Sequence, residues 1–240
     1  MKKYLRIAIF GTILASPLVG TLAAGGSTPN GEATLVRALA DASKYQSYEL
    51  RGSFTVSGKH ATLLGFQTAT ASESLTTIQG VGTEYLVQPT AFAKVYVRTN
   101  TVAGLIDFLS IKATKPSEVN VWYYLTPSDP RYTDQANTGP TTVATQFMVG
   151  PKSFGRAGKY ESVVTLRGTK VIKLAVTSSM FSPNNTLVPL TLYVTDTARP
   201  LPFAAAAKIT GVPVPVVSYF SNWGHVKPIK IPAAKTALPQ

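Results

Sequence analysis

The sequence predicts an α+β domain built on one large antiparallel sheet, with helices laid on one of its faces. Three observations carry that expectation. An amphipathic helical stretch near residue 31 gives way at Tyr48 to strict two-residue alternation. Most later segments keep that strand-like period and are joined by short turn-like links. Helical periodicity returns only twice, in mid-chain, before strands resume, which is not the regular strand-helix alternation of a parallel sheet.

Residues 1–24 come first. Lys2, Lys3 and Arg6 precede an apolar stretch from Ile7 to Leu22, which Pro17 interrupts and small residues follow. This is the three-part pattern of an export signal, with cleavage expected after Ala23 or Ala24. An uncleaved membrane helix is the alternative, disfavoured by Pro17 and by the lack of a basic stop-transfer cluster. Residues 25–32 read as a Gly/Ser/Pro spacer, 33–232 as one domain and 233–240 as a flexible Pro/Ala/Lys tail.

In "GEATLVRALADASKYQS", Leu35, Val36, Leu39 and Ala42 fall on one helix face, with Asn30 or Thr28 available as the cap. In "YELRGSFTVSG", Tyr48, Leu50, Phe54 and Val56 alternate with Glu49, Arg51, Ser53, Thr55 and Ser57, a half-buried strand. "LLGFQTATA", "SLTTIQG", "TEYLVQ" and "AFAKVYVRT" are further strands. "TVAGLIDFLSIKA" spaces Val102, Leu105, Ile106 and Leu109 as a helical stripe with Phe108 alongside, and "TTVATQFMVG" offers Val143, Phe147 and Met148 before Gly150 and Pro151. "ESVVTLRGTKVIKLAVTS" reads as a hairpin turning at Gly168-Thr169, a type II′ link. "PLTLYVTDTARPLPFAAAAKI" is the next hairpin. "VPVPVVSYFSNWG" and "HVKPIKIP" close the domain, their prolines suiting edge or bulged positions.

Composition narrows the function classes. The chain has no cysteine, which excludes disulfides, thiolate metal sites, a cysteine nucleophile and thioether-linked lipid. Without Lys2, Lys3 and Arg6, the 23 basic residues become 20 against 11 acidic ones, so the mature chain keeps a charge of +9. These charges are scattered singly, with no Lys/Arg run and no nucleic-acid motif. Attraction to an anionic envelope surface therefore fits an exported chain better than nucleic-acid binding, beside the plainer reading of a solubilising surface.

Recognisable catalytic patterns are missing. His60 and His225 are the only two histidines, and neither sits in a paired metal motif or a nucleophile-elbow context. "GPKSFGRAGKY" has Gly150 and Gly155 at phosphate-loop spacing, but Arg156-Ala157 stands where Lys-Ser/Thr is required. Asn184-Asn185-Thr186 matches a glycosylation acceptor, a match common by chance. The expectation is a non-enzyme with neither cofactor nor metal. What remains is apolar: Leu105, Ile106, Phe108, Leu109, Phe147 and Met148 on the two inserted helices. Singly each reads as core. Together, helices over a curved sheet are a usual way to roof a ligand cavity, and with Trp122 these are the candidate ligand-lining residues.

The order of segments also resembles a known family, the LolA-like and LppX/LprG-like envelope proteins, which carry lipids or lipoproteins across an aqueous gap. The likeness rests on "ALADASKYQSYELRGSFTV", on "AFAKVYVRTNTVAGLIDFL…EVNVWYYL" with its Trp122, and on the closing "LRGTKVIKLAVT…LTLYVTDTARPLPFAAAAKI…VSYFSNWGHVKPIKIPA". It covers most of the mature chain. The resemblance implies an open half-barrel sheet, helices on its concave face and an apolar cavity between them. Many actinobacterial relatives are tethered through a lipobox cysteine, where this chain has Gly25. The partners expected are a lipid or other apolar ligand, which the resemblance implies, an anionic membrane surface bound weakly through the +9 charge, and, on the rival reading, an envelope protein partner. The rival reading is a sensor or interaction module with a filled core.

Overall fold

The computed structural model describes residues 30–56, 58–111, 115–132, 135, 159–178, 188–207, 216–234 and 236–239. Helix α1 (Gly31–Ala42) opens the described chain. Five strands follow: β1 (Tyr48–Val56), β2 (Lys59–Gln67), β3 (Ala71–Ile78), β4 (Gly82–Pro89) and β5 (Val95–Thr99). Helix α2 (Val102–Asp107) and a single 3-10 turn at Pro116–Glu118 lead to β6 (Tyr123–Leu125). The remaining strands are β7 (Lys159–Leu166), β8 (Thr169–Ser178), β9 (Val188–Thr195), β10 (Pro202–Ala207), β11 (Val216–Ser221) and β12 (Thr236–Ala237).

All twelve strands form one open sheet in the order β12-β6-β5-β4-β3-β2-β1-β11-β10-β9-β8-β7. Every pairing is antiparallel except β12 with β6. At about 4.8 Å per strand the sheet is roughly 50 Å across, and its cumulative twist curls it into an unclosed half-barrel with the helices inside. The α+β class and the large antiparallel sheet are as the sequence predicts.

Alternation decides which residues face the helices. Leu50, Leu63, Ile78, Leu86, Val97, Leu125, Leu174, Leu192, Ala205 and Phe220 share one core with Leu35 and Leu39 of α1 and Leu105 of α2. Asn30 caps α1, its side-chain oxygen accepting from the amides of Glu32 and Ala33. The buried stripe of α1 differs from the predicted one: Ala38 is buried, whereas Val36 is 42% exposed. The i, i+3, i+4 rule places Leu35, Ala38, Leu39 and Ala42 together, one step off the direction of Val36. Helix α2, capped by Thr101, lies close on β5 because residue 104 is glycine. A methyl group there would stand 3.0 Å from Thr99 Cβ.

Several boundaries differ from the sequence reading. "LLGFQTATA" runs through a turn: Thr68 donates its amide and its hydroxyl to the Ala71 carbonyl, ending β2 at Gln67. In "AFAKVYVRT" pairing starts only at Val95. The β7–β8 link is Arg167-Gly168, not Gly168-Thr169, and both residues have positive φ (50° and 78°), the type I′ pattern rather than II′. "HVKPIKIP" forms no strand, since Pro228 and Pro232 remove ladder donors. The tail expected to be flexible is anchored. Thr236 and Ala237 pair with Tyr123 and Tyr124, Leu238 is buried, and Arg131 donates to the Leu238 and Pro239 carbonyls at 3.2 and 2.7 Å. A two-residue strand is too short for any periodicity to show.

Candidate functional site

Helix α2 lies on β4 and β5, and α1 on β7 and β10. Between these positions in the sheet order are β3, β2, β1 and β11. Among the described residues, these helices of 12 and 6 residues span about 18 and 9 Å. The helix-facing positions of the central strands are therefore the place to seek a site.

Those positions mix small and polar residues with large apolar ones. Registers align Gly52 with Leu63, Thr76 and Glu84, then Leu50 with Gly65, Ser74 and Leu86, and Gln67 with Ser72 and Gln88. On the other side Gly52 pairs with Ser218 and Leu50 with Phe220. A Cβ added to Gly52 would lie 3.5 Å from Ser218 Oγ, an ordinary contact, so packing alone does not require glycine there. Ser72, Ser74, Thr76 and Ser218 are all buried. Ser218 Oγ, Gln67 Oε1 and Gln88 Oε1 are buried without a hydrogen-bond partner. Buried polar atoms of this kind are uncommon in folded proteins; Arg98 Nε on the opposite face is another. The arrangement is a band of small and polar buried positions, a polar trough in the otherwise apolar inner face.

Aromatic side chains line one end of the trough. Trp223 stacks near Phe220 (ring centres 6.2 Å apart), Tyr48 (5.1 Å) and Tyr45 (6.1 Å). Burial pushes the Tyr48 hydroxyl's pKa well above its ordinary value. The turn after Trp223 is fastened to the α1–β1 joint: the Gly224 amide donates to the Ser47 carbonyl, and the Val226 amide to Ser47 Oγ. Beside this joint is an open groove of about 420 Å³, bounded by Lys44–Ser47, Thr68–Thr70 and the Gly224–Pro228 segment.

The predicted lining residues separate. Leu105, Phe108 and Leu109 are buried in the shared core. Ile106 is 40% exposed, because the next residue along a helix turns away from the buried stripe. Trp122 lies on the opposite side of the sheet. It precedes Tyr123, which faces the core, and the Arg98 guanidinium sits 5.0 Å from its ring and 4.2 Å from that of Tyr85. Phe147 and Met148 lie outside the described residues. The trough centre was missed because "ASESLTTI" offers Leu75 and Ile78, three apart, which cannot face the same side of a strand. The structure turns Ile78 inward together with Ser72, Ser74 and Thr76.

The opposite face carries its own ladder, Tyr219–Arg51–Leu64–Leu75–Tyr85–Arg98. Beside it Glu73 has its pKa raised by burial, an effect that the nearby positive charge of Arg98 opposes. Among the described residues, no three His, Asp or Glu gather as a metal site, and no helix is long and apolar enough to cross a membrane. His60 and His225 are both exposed.

No family model matches the chain, and no curated protein matches its sequence. Among solved structures, the fold is similar to that of the Mycobacterium tuberculosis lipoprotein LppX, at 11% sequence identity and a TM-score of 0.49, covering 82% of this chain and 97% of that one.

Proposed function

We propose that the protein is an exported, non-catalytic carrier that shields a lipid or another apolar ligand between the curved sheet and its helices. One observation supports the reading above others. Among the inward residues of the central strands are Gly52, Gly65, Ser72, Ser74, Thr76 and Ser218, small or polar side chains set among the large apolar Leu50, Leu63 and Phe220. Protein interiors are filled to crystal-like density, so a face short of side-chain volume is suited to filling by another molecule. The apolar walls formed by Leu50, Leu63, Leu86 and Phe220 suit acyl chains, and the polar centre offers acceptors to a donor-bearing portion of the ligand. Export rests on the pattern of residues 1–24.

The test is to fill the trough. Under the carrier reading, Ser74→Leu occupies ligand space, abolishes lipid carriage and leaves stability unchanged or raised. In a packed core the same change overfills the site and costs about 1–3 kcal/mol. That outcome would favour the second reading, a sensor or interaction module. A separate observation supports that alternative: the apolar and aromatic ladder of Leu64, Leu75, Tyr85 and Trp122 on the opposite face.

A further inference from the structure

Strand ends sort the loops into two groups. The pairs Tyr48–Gln67, Ala71–Pro89, Val95–Leu125, Glu49–Ser221 and Val171–Thr195 place one set of chain exits on a single rim. That rim comprises residues 43–47, 68–70, 90–94, 126–131, 167–168, 196–201 and 222–230. The 420 Å³ groove opens on it, as do two others of about 480 and 330 Å³ lined in part by Arg131 and by Arg199.

Charge on this rim is strongly one-sided. Its carboxylates already hold cations: Asp41 with Lys44 at 2.5 Å, Glu49 with Arg51, Asp129 with Arg131 at 2.7 Å, and Asp196 with Lys170 at 2.9 Å. Among the described residues, Arg37, Lys94, Arg167, Arg199, Lys227 and Lys230 stand at the same rim with no carboxylate partner. Asp41 registers that field. Its carboxyl is held below the usual range by the hydrogen bond from Lys44, with Arg37 and Arg199 adding to the effect. At the tip of the β4–β5 turn on this rim, Phe92 is 45% exposed, two residues before Lys94.

We infer that this rim is a peripheral membrane-docking edge for an anionic lipid surface, with Phe92 entering the headgroup layer while Arg199, Lys227, Lys230 and their neighbours face the anionic headgroups. An exposed aromatic ring on the same rim as a set of basic side chains matches an interface that is apolar just below a negatively charged surface. The edge also presents the mouths of the grooves to the bilayer. The inference does not depend on the trough carrying cargo, because docking is measured without it.

The experiment is co-sedimentation of the purified protein with vesicles of phosphatidylcholine alone, or of phosphatidylcholine mixed with phosphatidylglycerol. Binding is expected only to the mixed vesicles, and salt should release it. Each rim charge removed should lower partitioning about fivefold, so Arg199→Ser, Lys227→Ser and Lys230→Ser combined should lower it on the order of a hundredfold. Phe92→Ser should weaken it several-fold. A control set at the opposite rim, Lys59→Ser, Lys115→Ser and Lys159→Ser, removes the same net charge and should leave binding within about twofold. All seven positions are exposed, and circular dichroism confirms the fold. The inference is overturned if the control set weakens binding as much as the rim set, or if the two vesicle types bind equally. It is also overturned if neither vesicle binds and a photo-crosslinker at position 92 instead captures an envelope protein.

Discussion

Arg131 ties the loop after β6 to the chain's last described residues, its guanidinium donating to the Pro239 carbonyl at 2.7 Å while Asp129 accepts from the same group. The side chain is only 12% exposed, so these charge-assisted bonds are largely shielded from water. Arg131→Gln should release β12, with faster hydrogen exchange at Leu238, whose amide is donated to the Tyr124 carbonyl, and a stability loss of about 1–3 kcal/mol. Unchanged protection at Leu238 would show that the Thr236–Ala237 pairing holds the tail unaided.

The same pair sets a pH dependence. Hydrogen bonding from Arg131 holds the Asp129 carboxyl below its ordinary range, so its folded pKa is lower than its unfolded one. Its contribution is therefore fully present above the unfolded value of about 4 and is lost as pH falls from there through the lowered folded value. The protection factor at Leu238, its exchange rate relative to that of an unfolded chain at the same pH, should fall across that acid window in the wild type. In Asp129→Asn that fall should be absent and the protection already low at neutral pH.

Two glycines with nearly equal φ separate strain from collision. Gly168 (φ 78°) has nothing within 4 Å of an added Cβ, whereas at Gly224 (φ 75°) the added atom would stand 2.9 Å from Tyr45 Cδ1. Gly168→Ala should cost about 1–2 kcal/mol, the left-handed backbone penalty alone. Gly224→Ala should cost more, since the Tyr45 ring and the contacts with Trp223 must move as well. Urea denaturation ranks the two, and equal losses would contradict the collision.

Replacing His60 and His225 together by alanine should leave ligand carriage unchanged, because both are exposed and neither lies in the trough. A large loss in a folded variant would argue for chemistry at one of them.

Local signals were legible where one force acted alone. Asn30 as cap, the alternation from Tyr48, the β7–β8 hairpin and the buried Leu105 and Leu109 all follow from capping chemistry or a single period. Other features depended on tertiary choices. Arg167 takes φ 50° because the register pairs Leu166 with Thr169, which no turn propensity of arginine announces. Trp122 is assigned to the lining by size and apolarity, and Ile106 by its place in a helical stripe. Their direction is set by strand parity and by helix rotation, which place Trp122 beside Arg98 and leave Ile106 exposed. The trough centre was hidden for a related reason: Ser72, Ser74 and Thr76 look like a solvent face until the register shows them beside Leu63 and Leu86.

Carriage itself is tested most directly by native mass spectrometry of the protein purified without detergent from its own envelope, compared with Ser74→Leu prepared identically. The account predicts a lipid adduct on the wild type, because each buried methylene contributes about 0.8 kcal/mol to retention, and no adduct on a Ser74→Leu variant that is equally or more stable. A wild type that remains empty after incubation with total envelope lipid, together with a Ser74→Leu variant destabilised by about 1–3 kcal/mol, would contradict it.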